Sequence, residues 1–201
     1  MSHRLVLPAL LLGLLHACGS GQDDPCPGAC GAGLECCPAC PCATGTCSPE
    51  GVCVEGCSPK TLTGDITITS DDDRLSDLEG ATVIEGSLHL SGLTRTDLAP
   101  LECLEEVRGG LHVGFLESLE TISALNRLVR VDDGLGIYHC YALHHLDGLE
   151  SLTTLGGNLD ISFNSSLPLC EVEAFVARLR ENGFTGNAET SFNDETATCD
   201  E

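Results

Sequence analysis

Apolar residues return at fixed intervals between Leu78 and Ile161. The stretches LEGATVIEGSLHL, LECLEEVRGGLHV, LNRLVRVDDGLGI and LESLTTLGGNLDI begin at Leu78, Leu101, Leu125 and Leu149, which are 23, 24 and 24 residues apart. Each carries an apolar residue at its first, seventh, eleventh and thirteenth places, with a small or turn-forming residue before the eleventh. Alternation over the last three places predicts a short strand in every copy, its outer two residues pointing inward and its middle one outward. These strands centre on Leu88-His89-Leu90, Leu111-His112-Val113, Leu135-Gly136-Ile137 and Leu159-Asp160-Ile161. The run Ile66-Thr67-Ile68 matches the first of them 22 residues earlier and predicts an opening rung that lacks the first half of the unit. A unit of this size cannot bury its apolar side alone, and stacking several makes one continuous core. Five rungs at ~4.8 Å spacing would stack to roughly 24 Å. The expected class is therefore mainly β, a parallel solenoid.

Beyond the repeats the period changes. Val172, Phe175, Val176 and Leu179 follow helical spacing, with Pro168 near the start and Gly183 at the end. This helix is expected to cap the last rung, and a bridge between Cys170 and Cys199 to pin the polar tail after it.

Ahead of the repeats, the chain reads as three further segments. Residues 1–17 have a basic start at Arg4, an apolar run from Leu5 to Leu15 and a small residue, Ala17, as in an export signal. The run is shorter than the roughly 20 residues that span a bilayer. Leu15-His16-Ala17-Cys18 resembles the lipobox of bacterial lipoproteins, which implies cleavage before Cys18 and acylation of its thiol. Gly19 in place of an aspartate implies the outer membrane or cell surface. Residues 18–25 form a short polar tether. Residues 26–57 hold nine cysteines and few large apolar side chains, so covalent staples must replace a core. Disulfides fit better than a metal site, since neither histidines nor paired C-x-x-C ligands at a set separation are present. With Cys18 lipidated, thirteen thiols are left, an odd number; Cys57 at the module's edge is available to bridge into the solenoid, and Cys140 either meets Cys103 or packs as a small hydrophobe. The solenoid with its cap takes up 58–201.

Composition narrows the function. Formal charge is −22, and loss of Arg4 leaves eight basic against 31 acidic residues. Such a surface repels nucleic acid and anionic lipid headgroups, so attachment to a membrane should come from acyl chains. Aromatic residues make up 3% and tryptophan is absent, so the core must come from Leu, Ile and Val.

The opening Thr63-Gly64-Asp65-Ile66-Thr67-Ile68-Thr69, the L-x-x-L-x-x-V-x-G-G-L-x-V units and the closing SSLPLCEVEAF resemble receptor L-domain proteins, in particular their exported bacterial forms. The resemblance covers about Lys60 to Asp200. A single leucine-rich-repeat asparagine, Asn164, stands where earlier copies have Leu93, Leu116 and Cys140, which favours the L domain over an ordinary leucine-rich repeat. The resemblance implies a right-handed parallel β-helix and recognition of something outside the cell.

The outward positions of the strands are the candidate binding face. His89, His112 and Asp160 share one column, and Tyr138 stands beside them; solenoids commonly bind through such a face. Two histidines on adjacent rungs without a third ligand do not make a metal site, and no metal or other cofactor is expected. His139, His144 and His145 are expected in a solvated turn. Asp71-Asp72-Asp73 lacks the glycine-spaced loop of a calcium site. Asn164-Ser165-Ser166 matches a glycosylation sequon. No nucleophile lies beside a histidine and a carboxylate, and no G-x-S-x-G or H-E-x-x-H occurs. The expected function is non-catalytic binding of an extracellular or envelope protein or glycan. The alternatives are a structural envelope protein and, less favoured, a β-helical enzyme acting on polysaccharide.

Overall fold

The computed structural model describes residues 57–70 and 73–199, with the backbone of 46–47 and 53–54. The chain divides into two compact units, Met1–Gly56 and Cys57–Glu201. In the first, β1 (Thr46–Cys47) and β2 (Cys53–Val54) pair antiparallel. Cys18, the side chains of the other cysteines before Cys57 and Asp71-Asp72 lie outside the described residues, so the expectations placed on them do too.

The second unit contains two parallel sheets that the chain visits alternately. The smaller has five short strands, β3 (Thr61–Thr63), β5 (Val83–Glu85), β7 (Glu106–Val107), β9 (Arg130–Val131) and β11 (Thr154–Leu155). The larger runs β4 (Ile66–Ile68), β6 (Leu88–Ser91), β8 (Leu111–Gly114), β10 (Leu135–Tyr138), β12 (Leu159–Ser162) and β13 (Ala188–Glu189). Register is set by the repeat: Leu88, Leu111, Leu135 and Leu159 stand side by side, as do Leu90, Val113, Ile137 and Ile161. All eight are buried, and Ile84, Val107, Val131 and Leu155 join them from the smaller sheet. Short 3-10 turns and the residues flanking them add to the lining, among them Leu98-Leu101-Leu104 and Leu119-Ile122-Leu125-Leu128.

The larger sheet has one strand more than the repeat pattern announces. Ala188 and Glu189 pair with Leu159 and Asp160 and extend the larger sheet into what reads as a polar tail. The inward residue is only an alanine, partly buried against the core, so no apolar alternation marks it. Asn193 marks this strand as belonging to a further copy of the repeating unit, because it takes the place that Leu93, Leu116, Cys140 and Asn164 hold in earlier ones. Asn164 donates to the carbonyl of Ile137 and accepts from the amide of Cys140, each at 3.0 Å; Asn193 donates to the carbonyls of Ile161 and Thr190 at 2.7 and 2.8 Å. The asparagines therefore form a ladder of two, where the sequence reading counts one. Asn164 is fully buried, so its sequon offers no glycosylation site.

The helix α1 (Leu169–Glu181) starts at Pro168 and buries Val172, Phe175 and Leu179. It packs over the turn between β10 and β11: Arg178 donates to the carbonyls of Leu149 (2.7 Å) and Glu150, and Glu171 accepts from the amide of Leu146 at 2.6 Å. It caps that side, while the sheet edge is extended by β13. Disulfides join Cys57 to Cys103 and Cys170 to Cys199. Cys103 is thus taken, which removes the alternative of a bridge to Cys140. Cys140 is a buried free thiol, and burial pushes its pKa up to about 11.

Candidate functional site

Outward side chains of the larger sheet fall into columns. Thr67, His89, His112, Gly136, Asp160 and Glu189 make one; Ser91, Gly114, Tyr138 and Ser162 make the next. All four sequence-predicted residues are therefore brought to one face. His89 and His112 stack with ring centroids 4.6 Å apart and planes 13° from parallel. An ion between such rings would meet their faces and not the in-plane nitrogen lone pairs. No group of three or more His, Cys, Asp or Glu able to hold a metal is found among the described residues. Asp160 accepts a hydrogen bond of 2.5 Å from the Ser162 hydroxyl. Partial burial and the neighbouring His89 hold the His112 pKa below its ordinary value, against a smaller opposite pull from Asp133 and Asp160.

Glycines let the larger rings lie against the sheet. A Cβ at position 114 would come within 2.3 Å of the Tyr138 ring, and one at 136 within 2.8 Å of His112 Nδ1 and 3.1 Å of Tyr138. The two rings thus meet over Gly136, in contact with bare backbone where any other residue would hold them off.

Next to this face runs a feature that the sequence reading did not reach. At the equivalent place past the strands stand Gly92, Phe115, His139, Phe163 and Phe192, all with positive φ, between 54° and 65°. The last four stack in series: Phe115 on His139 at 4.6 Å, His139 on Phe163 at 4.7 Å, Phe163 on Phe192 at 4.4 Å, each pair within 14° of parallel. Backbone bonds keep the series in step, as the amides of Phe115, His139 and Phe163 donate to the carbonyls of Tyr138, Ser162 and Ser191. Tyr138 meets Phe115 and His139 edge-on, and Tyr141 lies within 2.8 Å of His139 Nδ1 through its hydroxyl. Phe115, Tyr141, Phe163 and Phe192 are 52%, 42%, 40% and 65% exposed.

This arrangement contradicts the expectation of a solvated turn at His139, though His144 and His145 are exposed as expected. A left-handed conformation costs a residue with a side chain roughly 1–2 kcal/mol, and Gly92 shows that glycine serves at the same place. Strain of this kind is a reason to look for function. The signal was in the sequence, at the fifteenth place of each unit, two beyond the last apolar position of the template.

Elsewhere, a cleft of ≈410 Å³ beside α1 is lined by Leu146, Asp147, Glu150, Glu171, Phe175 and Arg178. Arg178 and Glu171 already hold the helix in place there. No protein-family model matches the sequence, and no curated protein matches it either.

Proposed function

We propose that the second unit is a right-handed β-helical solenoid of receptor L-domain type, and that the protein is an exported, lipid-anchored, non-catalytic binding protein of the cell surface. Alternate passage through two parallel sheets, in register every 22 to 24 residues over the four repeats and the opening rung, supports the architecture. One observation carries the function: five of the seven Phe and Tyr residues stand outside the core, gathered at one edge of the sheet face. In a chain so poor in aromatics, with a core of Leu, Ile and Val, that distribution argues for recognition. The ligand is an extracellular or envelope glycan or protein, held on the face of His89, His112, Tyr138 and Asp160 and on the aromatic row beside it.

Cysteine parity supports the anchor. With Cys57–Cys103 and Cys170–Cys199 bridged and Cys140 buried as a free thiol, nine cysteines are left, Cys18 and eight from Cys26 to Cys53. Lipidation of Cys18 leaves an even eight, which can all pair. It also weakens the structural alternative, since the unpaired thiol is buried and unavailable to a second chain.

Two measurements test the proposal. Labelling with a fatty-acid analogue should mark the wild-type chain and not Cys18→Ala; equal label in both would remove the anchor. Capture from intact envelopes with the purified full chain should be lost in Tyr138→Ala/Asp160→Ala. Unchanged capture would clear this face of the role.

A further inference from the structure

We infer that the face of His112, Tyr138 and Asp160 binds a neutral glycan, seating a pyranose ring on Tyr138. The inference rests on the proposed reading of this face as the recognition surface and names its ligand class. Shape is the first argument. Tyr138 and His112 lie over Gly114 and Gly136 with backbone on one side. A ring backed by glycine backbone in this way suits the C–H face of a sugar, which it holds by dispersion and by the attraction of polarised C–H bonds to the negative π face. Protein partners more often place an anchor in a pocket or add a strand to an open edge, and this floor lies mid-sheet, on β8 and β10.

Hydrogen-bonding capacity is the second. Asp160 spends one bond on Ser162, and an ionised carboxylate has room for further donors. Asn158, one position before the start of β12, uses its oxygen on the amide of Asn187, which leaves its amino group able to donate. Both suit sugar hydroxyls arranged around a stacked ring.

Charge is the third, and it decides which glycan. No Lys or Arg occurs in the columns containing His89, Tyr138 and Phe115, while Asp160 and Glu189 stand in them and Asp133 acts on His112. On a chain of formal charge −22, such a face repels uronates and sulfated polymers. A neutral glycan meets hydroxyl acceptors without that repulsion.

The chain has no tryptophan, and both tyrosines, Tyr138 and Tyr141, stand here. Tyrosine emission of the purified full chain, in a Tyr141→Phe background, therefore reports on the proposed seat. The probes are soluble neutral hexasaccharides of the α-glucan, β-glucan, mannan and galactan series, with polygalacturonate as the anionic arm. At least one neutral series should change the emission saturably, and polygalacturonate should not. By calorimetry, Tyr138→Ala should weaken that binding by about tenfold or more, the scale of a lost aromatic hot spot. Tyr138→Phe, which keeps the stacking face, should stay within about threefold. Matching urea midpoints establish that the variants are folded. Silence of all four neutral series, equal binding of polygalacturonate, or full binding by Tyr138→Ala would overturn the inference. If the glycans are silent while Tyr138→Ala/Asp160→Ala still abolishes capture of an envelope protein, only the glycan assignment falls. If capture is also unchanged, the binding reading falls with it.

Discussion

The inner and outer sides of the larger sheet are made by the same strands, residue by alternate residue, yet they follow opposite rules. Inside, Leu88, Leu111, Leu135 and Leu159 repeat one residue type in one register, and the neighbouring column exchanges Leu, Val and Ile freely. Outside, the column beside them reads Thr67, His89, His112, Gly136, Asp160, Glu189, no two adjacent residues alike except the histidines. A core asks for volume and apolar surface, which many sequences supply. The outer side keeps glycines where rings need space and spends backbone strain on four residues just past the strands. Uniformity marks what holds the fold, and variety what a ligand could read.

The largest effect that would test this contrast lies inside. Leu111→Ala removes a fully buried side chain between Leu88 and Leu135 and should cost about 2–5 kcal/mol in urea unfolding. Gln in place of the outward neighbour His112 should cost far less. Comparable losses would mean that both sides are structural. Second in size is the bridge beside the added sixth strand. Cys170→Ser/Cys199→Ser opens a loop of 29 residues, worth roughly 3–4 kcal/mol by loop-closure entropy. The amides around β13 should lose hydrogen-exchange protection first, with those of β8 and β10 still slow.

The same contrast explains what could be read from the sequence. The inner columns were legible because burial repeats one residue type at a fixed interval, and one register slip would turn all of them outward. His89, His112, Tyr138 and Asp160 followed from alternation alone. The sixth strand did not, because Ala188 stands where a leucine is expected and the helix lengthens the interval from Asn164 to Asn193 to 29 residues. The aromatic row escaped for a different reason. Gly92, Phe115, His139 and Phe163 share a backbone conformation and not a polarity, so no hydrophobic pattern includes them. Cys57–Cys103 was undetermined because connectivity depends on where turns meet, and spacing does not say.

A smaller effect separates stacking from folding within that row. Phe163→Gly loses contacts with His139 and Phe192, each such pair contributing about 0.5–1.5 kcal/mol. It also relieves a left-handed residue of roughly 1–2 kcal/mol of strain. The two nearly cancel, so the urea midpoint should move little, while ligand capture falls. Phe163→Ala keeps the strain and loses the stack, and should be the less stable of the two. A Phe163→Gly chain that unfolds as readily as Leu111→Ala would make the row part of the scaffold.

The smallest expected effect concerns pH. His112 titrates below its ordinary value near 6.5 because partial burial and His89 disfavour its charge more than Asp133 and Asp160 favour it. As pH falls, the unfolded chain takes up this proton before the folded one, so stability declines from about pH 7 downward and levels off once the folded His112 is also charged. Substituting His89→Gln removes one of the two lowering influences and should draw the His112 titration, followed by NMR, toward its ordinary value. The decline in urea midpoint between about pH 7 and pH 5 should become shallower in that variant. A His112 titration indifferent to His89 would show that the stacked pair is not coupled, and the outer column would then be a row of independent side chains.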